Sequence, residues 1–191
     1  MTAHDSTKRY DTLSQAFHWL TAAAVLAAFV LGPGGFGRML RNGIDPGTQL
    51  DIVWHETLGI AVFGLTLLRL LWVLVRPRAP RHSMAGWMQL ASKGAHVVLW
   101  GMLLALPMTA LLTLGSEGAP LTLLGLRIDE LTLIANSAFA PLADWGDVHT
   151  FIGDAIMWIA GLHAAASIYH HFVMKDNVLT SMVPRLKARA Q

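Results

Sequence analysis

Cysteine is absent from the 191 residues, which removes disulfides, thiolate metal sites, iron–sulfur clusters and thioether attachment of a cofactor through CxxCH. Charge is scarce too. Asp, Glu, Lys and Arg make up 14% of the chain while 54% is hydrophobic, and the mean hydropathy of +0.48 is far above that of a soluble domain of this length. Several catalytic signatures are also missing. No GxSxG, P-loop or GxGxxG run occurs, and His55-Glu56 opens like HExxH but has Gly59 where the second histidine should stand, so no zinc-hydrolase site is expected. The sequence pI near 9.3 could suggest nucleic acid. No basic and aromatic residues interleave, however, and the cations sit in short blocks beside apolar runs, where they record membrane orientation rather than a nucleic-acid partner.

What remains is apolar sequence in lengths that fit a bilayer. The runs predict four membrane-spanning helices at about 14–32, 50–75, 89–114 and 148–173. With no internal repeat or low-complexity tract, residues 1–191 read as one all-α integral membrane domain, a four-helix bundle. The first run follows Lys8 and Arg9 as a signal peptide would, but it is near span length and holds His18 and Trp19, so it reads as an uncleaved span. Pro33, Gly34, Gly35 and Gly37 end it, Pro77 and Pro80 follow the second, and Pro107 predicts a kink late in the third. Between Gly115 and Gly146, the apolar runs LTLLGL and LTLIANSAFAPL among scattered acids predict a helix lying in the membrane interface. Ten of the 14 Lys and Arg fall in the N-terminus, the second connection, the start of span three and the C-terminus. Both termini are therefore expected to be cytoplasmic, in a multi-pass protein of a cell membrane.

Histidines inside such spans are costly unless they bind something. The last span carries His149 and His163 fourteen residues apart, nearly four helical turns, which puts them on one face and roughly 21 Å apart along the axis. Span one brings His18 to the inner level and span two brings His55 to the outer level. The pairs matching in depth are His18 with His163 and His55 with His149, each joining two helices, as two bis-histidine b haems held non-covalently in a bundle would need. Taken singly, each could instead be an interface or packed-core histidine. His4 and His82 lie in polar segments and are assigned no ligand role, whereas His96, near the inner level on span three, is left as a supporting or quinone-site residue. A haem-free proton or metal-ion transporter is the other use of such residues, with Asp154 and Glu56 as its acids.

Three runs go further. GLHAAASIYHHFVMKDNVLTSMVPR, YDTLSQAFHWL and GAHVVLWGMLLALP resemble the bacterial cytochrome b561 family, and specifically its superoxide oxidase type, over all four spans and least in the two outer loops. The resemblance implies an outer haem on His55 and His149 and an inner one on His18 and His163. It further implies oxidation of superoxide, or of a periplasmic donor, at the outer face of the bacterial inner membrane, and reduction of ubiquinone near the inner haem. His170 matches the family's quinone-contacting histidine, with His96 and Lys93 as further quinone-site candidates, and Arg69 is a candidate partner for a haem propionate or a snorkelling cation. Arg38, Arg41 and Arg127 are the cations available to an anionic donor outside. The chain departs from the family's pattern in its 115–146 loop and at Asp154, where a neutral residue is expected.

Overall fold

The computed structural model describes residues 9–76, 86–129 and 136–183. His4, His82, the proline pair Pro77 and Pro80, and the cations Lys8, Arg78, Arg81, Arg185, Lys187 and Arg189 lie outside them. Among the described residues, four helices are long and apolar enough to cross a membrane: α1 (Thr12–Val30), α3 (Leu50–Val75), α4 (Gly86–Glu117) and α5 (Trp145–Tyr169), the last running on through a π-helical turn, His170–Met174. A short α2 (Phe36–Arg41) follows α1, and a short α6 (Val178–Met182) follows the π turn. Few apolar side chains are buried, and many large ones point outward, with Leu74 80% and Trp158 77% exposed. Such a surface suits hydrocarbon and not water.

α1 packs along α3, α4 packs along α5, and α3 joins the two pairs by packing on α4. Without a hydrophobic drive between helices in lipid, close approach depends on small and polar side chains. Ser14, Gln15 and Thr21 on α1, Thr66 on α3 and Thr109 on α4 are all buried.

The end of the bundle where the described chain starts and stops is tied by polar contacts. Asp11 caps α1, accepting from the Ser14 N–H at 2.8 Å and the Ser14 hydroxyl at 2.7 Å, while Trp72 near the end of α3 donates Nε1–H to the same carboxylate at 3.2 Å. The Arg76 guanidinium lies 5.3 Å over the Tyr10 ring. α6 then folds back onto this corner: the Ser181 carbonyl accepts from Tyr10 N–H at 3.1 Å and Gln15 Nε2 at 3.1 Å, and the Met182 carbonyl from Trp19 Nε1 at 2.9 Å. Both ends of the described chain therefore lie on one side of the bundle, here called the terminal end. The opposite side is the loop end.

At the loop end, the LTLLGL run is not an interfacial helix. Gly118, at φ +64°, ends α4 with its neighbour's N–H bonded back to the Leu114 carbonyl at 2.9 Å, a Schellman-type stop. The chain then forms an antiparallel hairpin, β1 (Leu121–Leu123) and β2 (Leu126–Ile128), with Leu121 opposite Ile128. Leu124 and Gly125 turn it with φ +51° and +83°, the two positive values a tight two-residue hairpin turn requires. Span two supplies the acceptors: Glu56 Oε2 takes the Thr122 N–H at 2.5 Å and Thr57 Oγ the Leu124 N–H at 3.0 Å. Buried Leu121 packs with Leu114 and Ala119 beneath Phe36 and Leu40 of α2. Of the second apolar run, the described part is a turn with a short 3-10 segment, Ala140–Leu142.

Two outcomes follow from these ties. Glu56→Ala leaves the Thr122 N–H without its acceptor, a loss of about 1–3 kcal/mol for a buried donor. Amides 121–128 should exchange hydrogen at least about fivefold faster, and Glu56→Gln, which keeps an acceptor, should change them less. Burial alone would raise the Asp11 carboxyl, but its hydrogen bonds from Ser14 and Trp72 prevail and hold it below its usual value. Its contribution is then present at neutral pH and lost as pH falls through the lowered value. Asp11→Ala should lower thermal stability at pH 7 by about 1 kcal/mol, a deficit that closes in acid.

Candidate functional site

The histidines gather in two clusters, one toward each end of the bundle. Toward the loop end, His55 on α3 faces His149 on α5 with ring centroids 6.0 Å apart and planes at 84°. A metal held between two imidazoles at bond lengths of about 2 Å sets ring centroids roughly 6 Å apart. Each ring is anchored through its other nitrogen. His55 Nδ1 lies 2.7 Å from the Ala28 carbonyl of α1, and His149 Nδ1 lies 3.0 Å from the Leu106 carbonyl of α4. A carbonyl only accepts, so Nδ1 carries the hydrogen in both rings and Nε2 keeps its lone pair, the tautomer a metal ligand needs.

Local sequence explains why the first anchor exists. Ala28 sits in the last turn of α1, and the Gly32 N–H that would close its helical bond turns to the Phe29 carbonyl at 3.1 Å instead. The Ala28 carbonyl is thereby left for His55. Gly32 also lies beside the ring: a Cβ there would crowd the Phe29 carbonyl at 3.1 Å and make an ordinary contact with His55 Cε1 at 3.6 Å.

Around this pair, Val25, Phe29, Ile60, Leu111, Gly153 and Ile156 wall an apolar cavity of about 110 Å³ that opens to the outside. Two opposed imidazoles in an apolar slot have the donor set and the lining that a haem would need. Glu56, which holds the hairpin, also lines it.

Toward the terminal end the cluster is fourfold: His18 from α1, Arg69 from α3, His96 from α4 and His163 from α5. Arg69, His163 and His96 all stand within electrostatic reach of His18. The His96 and His163 rings meet edge to face at 5.1 Å, closer than two rings opposed across one metal ion would stand. His96 therefore packs on His163, its Nδ1 bound to the Ser92 carbonyl of its own helix at 2.6 Å. Sequence depth alone does not reveal that contact. The Arg69 guanidinium lies 4.9 Å over the Trp100 ring and makes no ion pair among the described residues.

Lys93, exposed on α4, stands one turn before His96. His170 opens the π turn, and its Nδ1 lies 2.5 Å from Asp176 Oδ2, a partner the sequence reading missed. One cation and one acid change their meaning. Arg127 is taken up by Asp45 at 2.8 Å and Asp129 at 2.5 Å, leaving Arg38 and Arg41 as the loop-end cations expected for an anion. Asp154 is exposed and lies on the side of α5 away from His149, Gly153 and Ile156, so it is not brought together with the histidines, as a transporter using both would need.

A family model for prokaryotic cytochrome b561 matches residues 9–185. Among its relatives, cytochrome b561 homolog 2 of Escherichia coli K12 is 27% identical over 184 residues, covering 96% of this chain and 95% of its own. The probable superoxide oxidase CybB of Yersinia pestis is 30% identical over 182 residues, 93% of this chain and 97% of its own. Cytochrome b561 homolog 1 of Escherichia coli K12 is 25% identical over 186 residues, 94% and 99% respectively. The matches run through all four long helices and both histidine clusters, and the chain belongs to the prokaryotic cytochrome b561 family, membrane electron-transfer proteins that hold b-type haem.

Proposed function

We propose that this chain is a single membrane domain that holds two b haems and passes electrons from a donor at the loop end to a quinone at the terminal end. In this reading His55 and His149 would hold one haem, and His18 and His163 the other. Superoxide is the preferred donor and ubiquinone the acceptor, on the resemblance of the sequence and on the name of the Yersinia pestis relative. The observation that carries the reading is the His55–His149 pair, 6.0 Å apart with both Nδ1 atoms held by carbonyls.

His163 follows His149 by fourteen residues on the same helix, which sets the two levels roughly 21 Å apart. Bound haems supply the one-electron chemistry. The chain contributes orientation through the Nδ1 hydrogen bonds, an apolar wall that excludes water, and Arg69 as the cation for a propionate. His96 steadies His163 by packing on it. With His170 and Lys93, it lines the quinone side. The cation count puts the terminal end in the cytoplasm and the loop end in the periplasm.

A second reading has its own support. With Arg127 neutralised and Leu124 and Leu126 at the hairpin tip 71% and 72% exposed, the loop end also suits docking of a periplasmic redox protein.

Purified protein should contain two haems per chain and show a b-type reduced-minus-oxidised spectrum. His55→Ala or His149→Ala should remove one haem, and His18→Ala or His163→Ala the other, whereas His96→Ala keeps both. A ratio near one haem per chain contradicts the two-site assignment. Enzymatically generated superoxide should reduce a short-chain ubiquinone in the presence of the isolated protein. If it does not, although both haems are bound, the docking reading takes its place.

A further inference from the structure

The end of α5 is built in a way the haem ligands do not require. α-Helical geometry stops at Tyr169, and His170–Met174 form a π-helical turn, a feature often found at functional sites. Lys175 then takes a left-handed conformation, φ +57°, unusual for a residue with a side chain. The result is a closed loop: the Asp176 N–H bonds the His170 carbonyl at 3.2 Å, and Asp176 Oδ2 reaches His170 Nδ1 at 2.5 Å. The other oxygen, Oδ1, accepts the Val178 N–H at 3.0 Å and so starts α6. Both side chains are largely enclosed, His170 14% and Asp176 22% exposed. The turn packs against α5 and α6. α6 brings no ionisable side chain, α5 brings Tyr169 with its ring 6.5 Å from that of His170, and the turn itself carries His171 and Lys175.

We propose that Asp176 is a positioning residue that makes His170 the proton donor to the bound quinone. This rests on the reading that quinone binds at the terminal end. A carboxylate facing Nδ1 keeps that nitrogen protonated and leaves Nε2 as the atom that exchanges protons with the ligand. Reduction of the quinone consumes two electrons, delivered one at a time from the haem side, and two protons. His170, having taken a proton from water at the membrane surface, gives its Nε2 proton to the quinone oxygen it faces. The N–H bond breaks, the O–H bond of the quinol forms, and the ring returns to its neutral form with hydrogen on Nδ1. The second quinone oxygen takes its proton from water. Asp176 keeps its contact with Nδ1 throughout and orients the ring, as a carboxylate does for a general-acid histidine.

The test is rapid mixing of pre-reduced protein with a short-chain ubiquinone, following haem oxidation from pH 5.5 to 8.5. Asp176→Asn keeps an oxygen for the Val178 N–H but turns an amide N–H toward His170 Nδ1, which moves the ring hydrogen to Nε2. Oxidation should slow about 100-fold and lose its dependence on pH, with haem content and spectrum unchanged. Asp176→Glu should recover part of the rate. His170→Gln should show the same loss, and the double variant no further loss, since the two act as one unit. If Asp176→Asn oxidises at the wild-type rate with the wild-type pH profile, the inference is overturned alone. If quinone does not oxidise the reduced wild-type protein, the quinone reading falls and takes this inference with it. Should Asp176→Asn fail to bind haem, His170→Gln decides, because Asp176 acts only through that ring, and a wild-type rate there overturns the proposal.

Discussion

A backbone carbonyl that has lost its own helical partner is the hinge of this structure. At Ala28 the chain is about to leave α1, Gly32 has turned its N–H elsewhere, and the orphaned oxygen takes the Nδ1 hydrogen of His55 from the neighbouring helix. Three requirements are met by that one contact. A helix end in lipid must satisfy its last carbonyls without water, an imidazole in hydrocarbon must place its polar hydrogen, and a metal ligand must present a fixed lone pair. The Leu106 carbonyl, within α4 and not at its end, meets the second and third of these for His149. The two opposed rings are thus held by the two helices that do not carry them, and all four long helices converge on one site.

Elsewhere the polar groups of the bundle are sorted by depth. The middle is joined by small and hydroxyl side chains, which let helices approach but supply little specific energy. Directional bonds are concentrated at the two ends. At the terminal end Asp11, Gln15, Trp19 and Trp72 bind α1, α3 and α6 together; at the loop end Glu56 and Thr57 hold a hairpin whose own turn leaves leucines outward. A bundle fixed at its ends tolerates a wide interior, and the α1–α3 pair and the α4–α5 pair share their main direct interface only through α3 and α4. The histidines face one another across the remaining gap.

Much of this could be read from the sequence because membrane helices announce themselves by length and because fourteen residues return a helix to nearly the same face. That periodicity aligned His149 with His163, and entry direction ranked His18 and His55 by depth; the structure sets His55 against His149 and gathers His18 with His163. The hairpin was illegible for a plain reason. LTLLGL is too short for periodicity to separate a strand from an interfacial helix, and its fate was decided by a carboxylate and a hydroxyl sixty-odd residues earlier. The contact of His96 on His163 was likewise hidden, since depth fixes a level and not a rotation.

The pairing of His170 with Asp176 shows where pattern reading stops. On an α-helix a residue six positions on lies about 240° around the axis, so no helical template brings those side chains together. The π turn and the left-handed Lys175 break the phase that organises the rest of α5, and only then does the carboxylate return to the ring. Along α5 the same phase keeps His149, Gly153, Ile156 and His163 on one side and carries Asp154 round to the other, beside outward-facing Phe151 and Trp158. A single helix therefore separates its polar groups by angle while it runs straight, and recruits a new one only where it ceases to be an α-helix. Electron carriage demands the first arrangement, because the rings must share a face. The proposed delivery of a proton would use the second, because its donor stands past the last regular turn, at the end of the bundle.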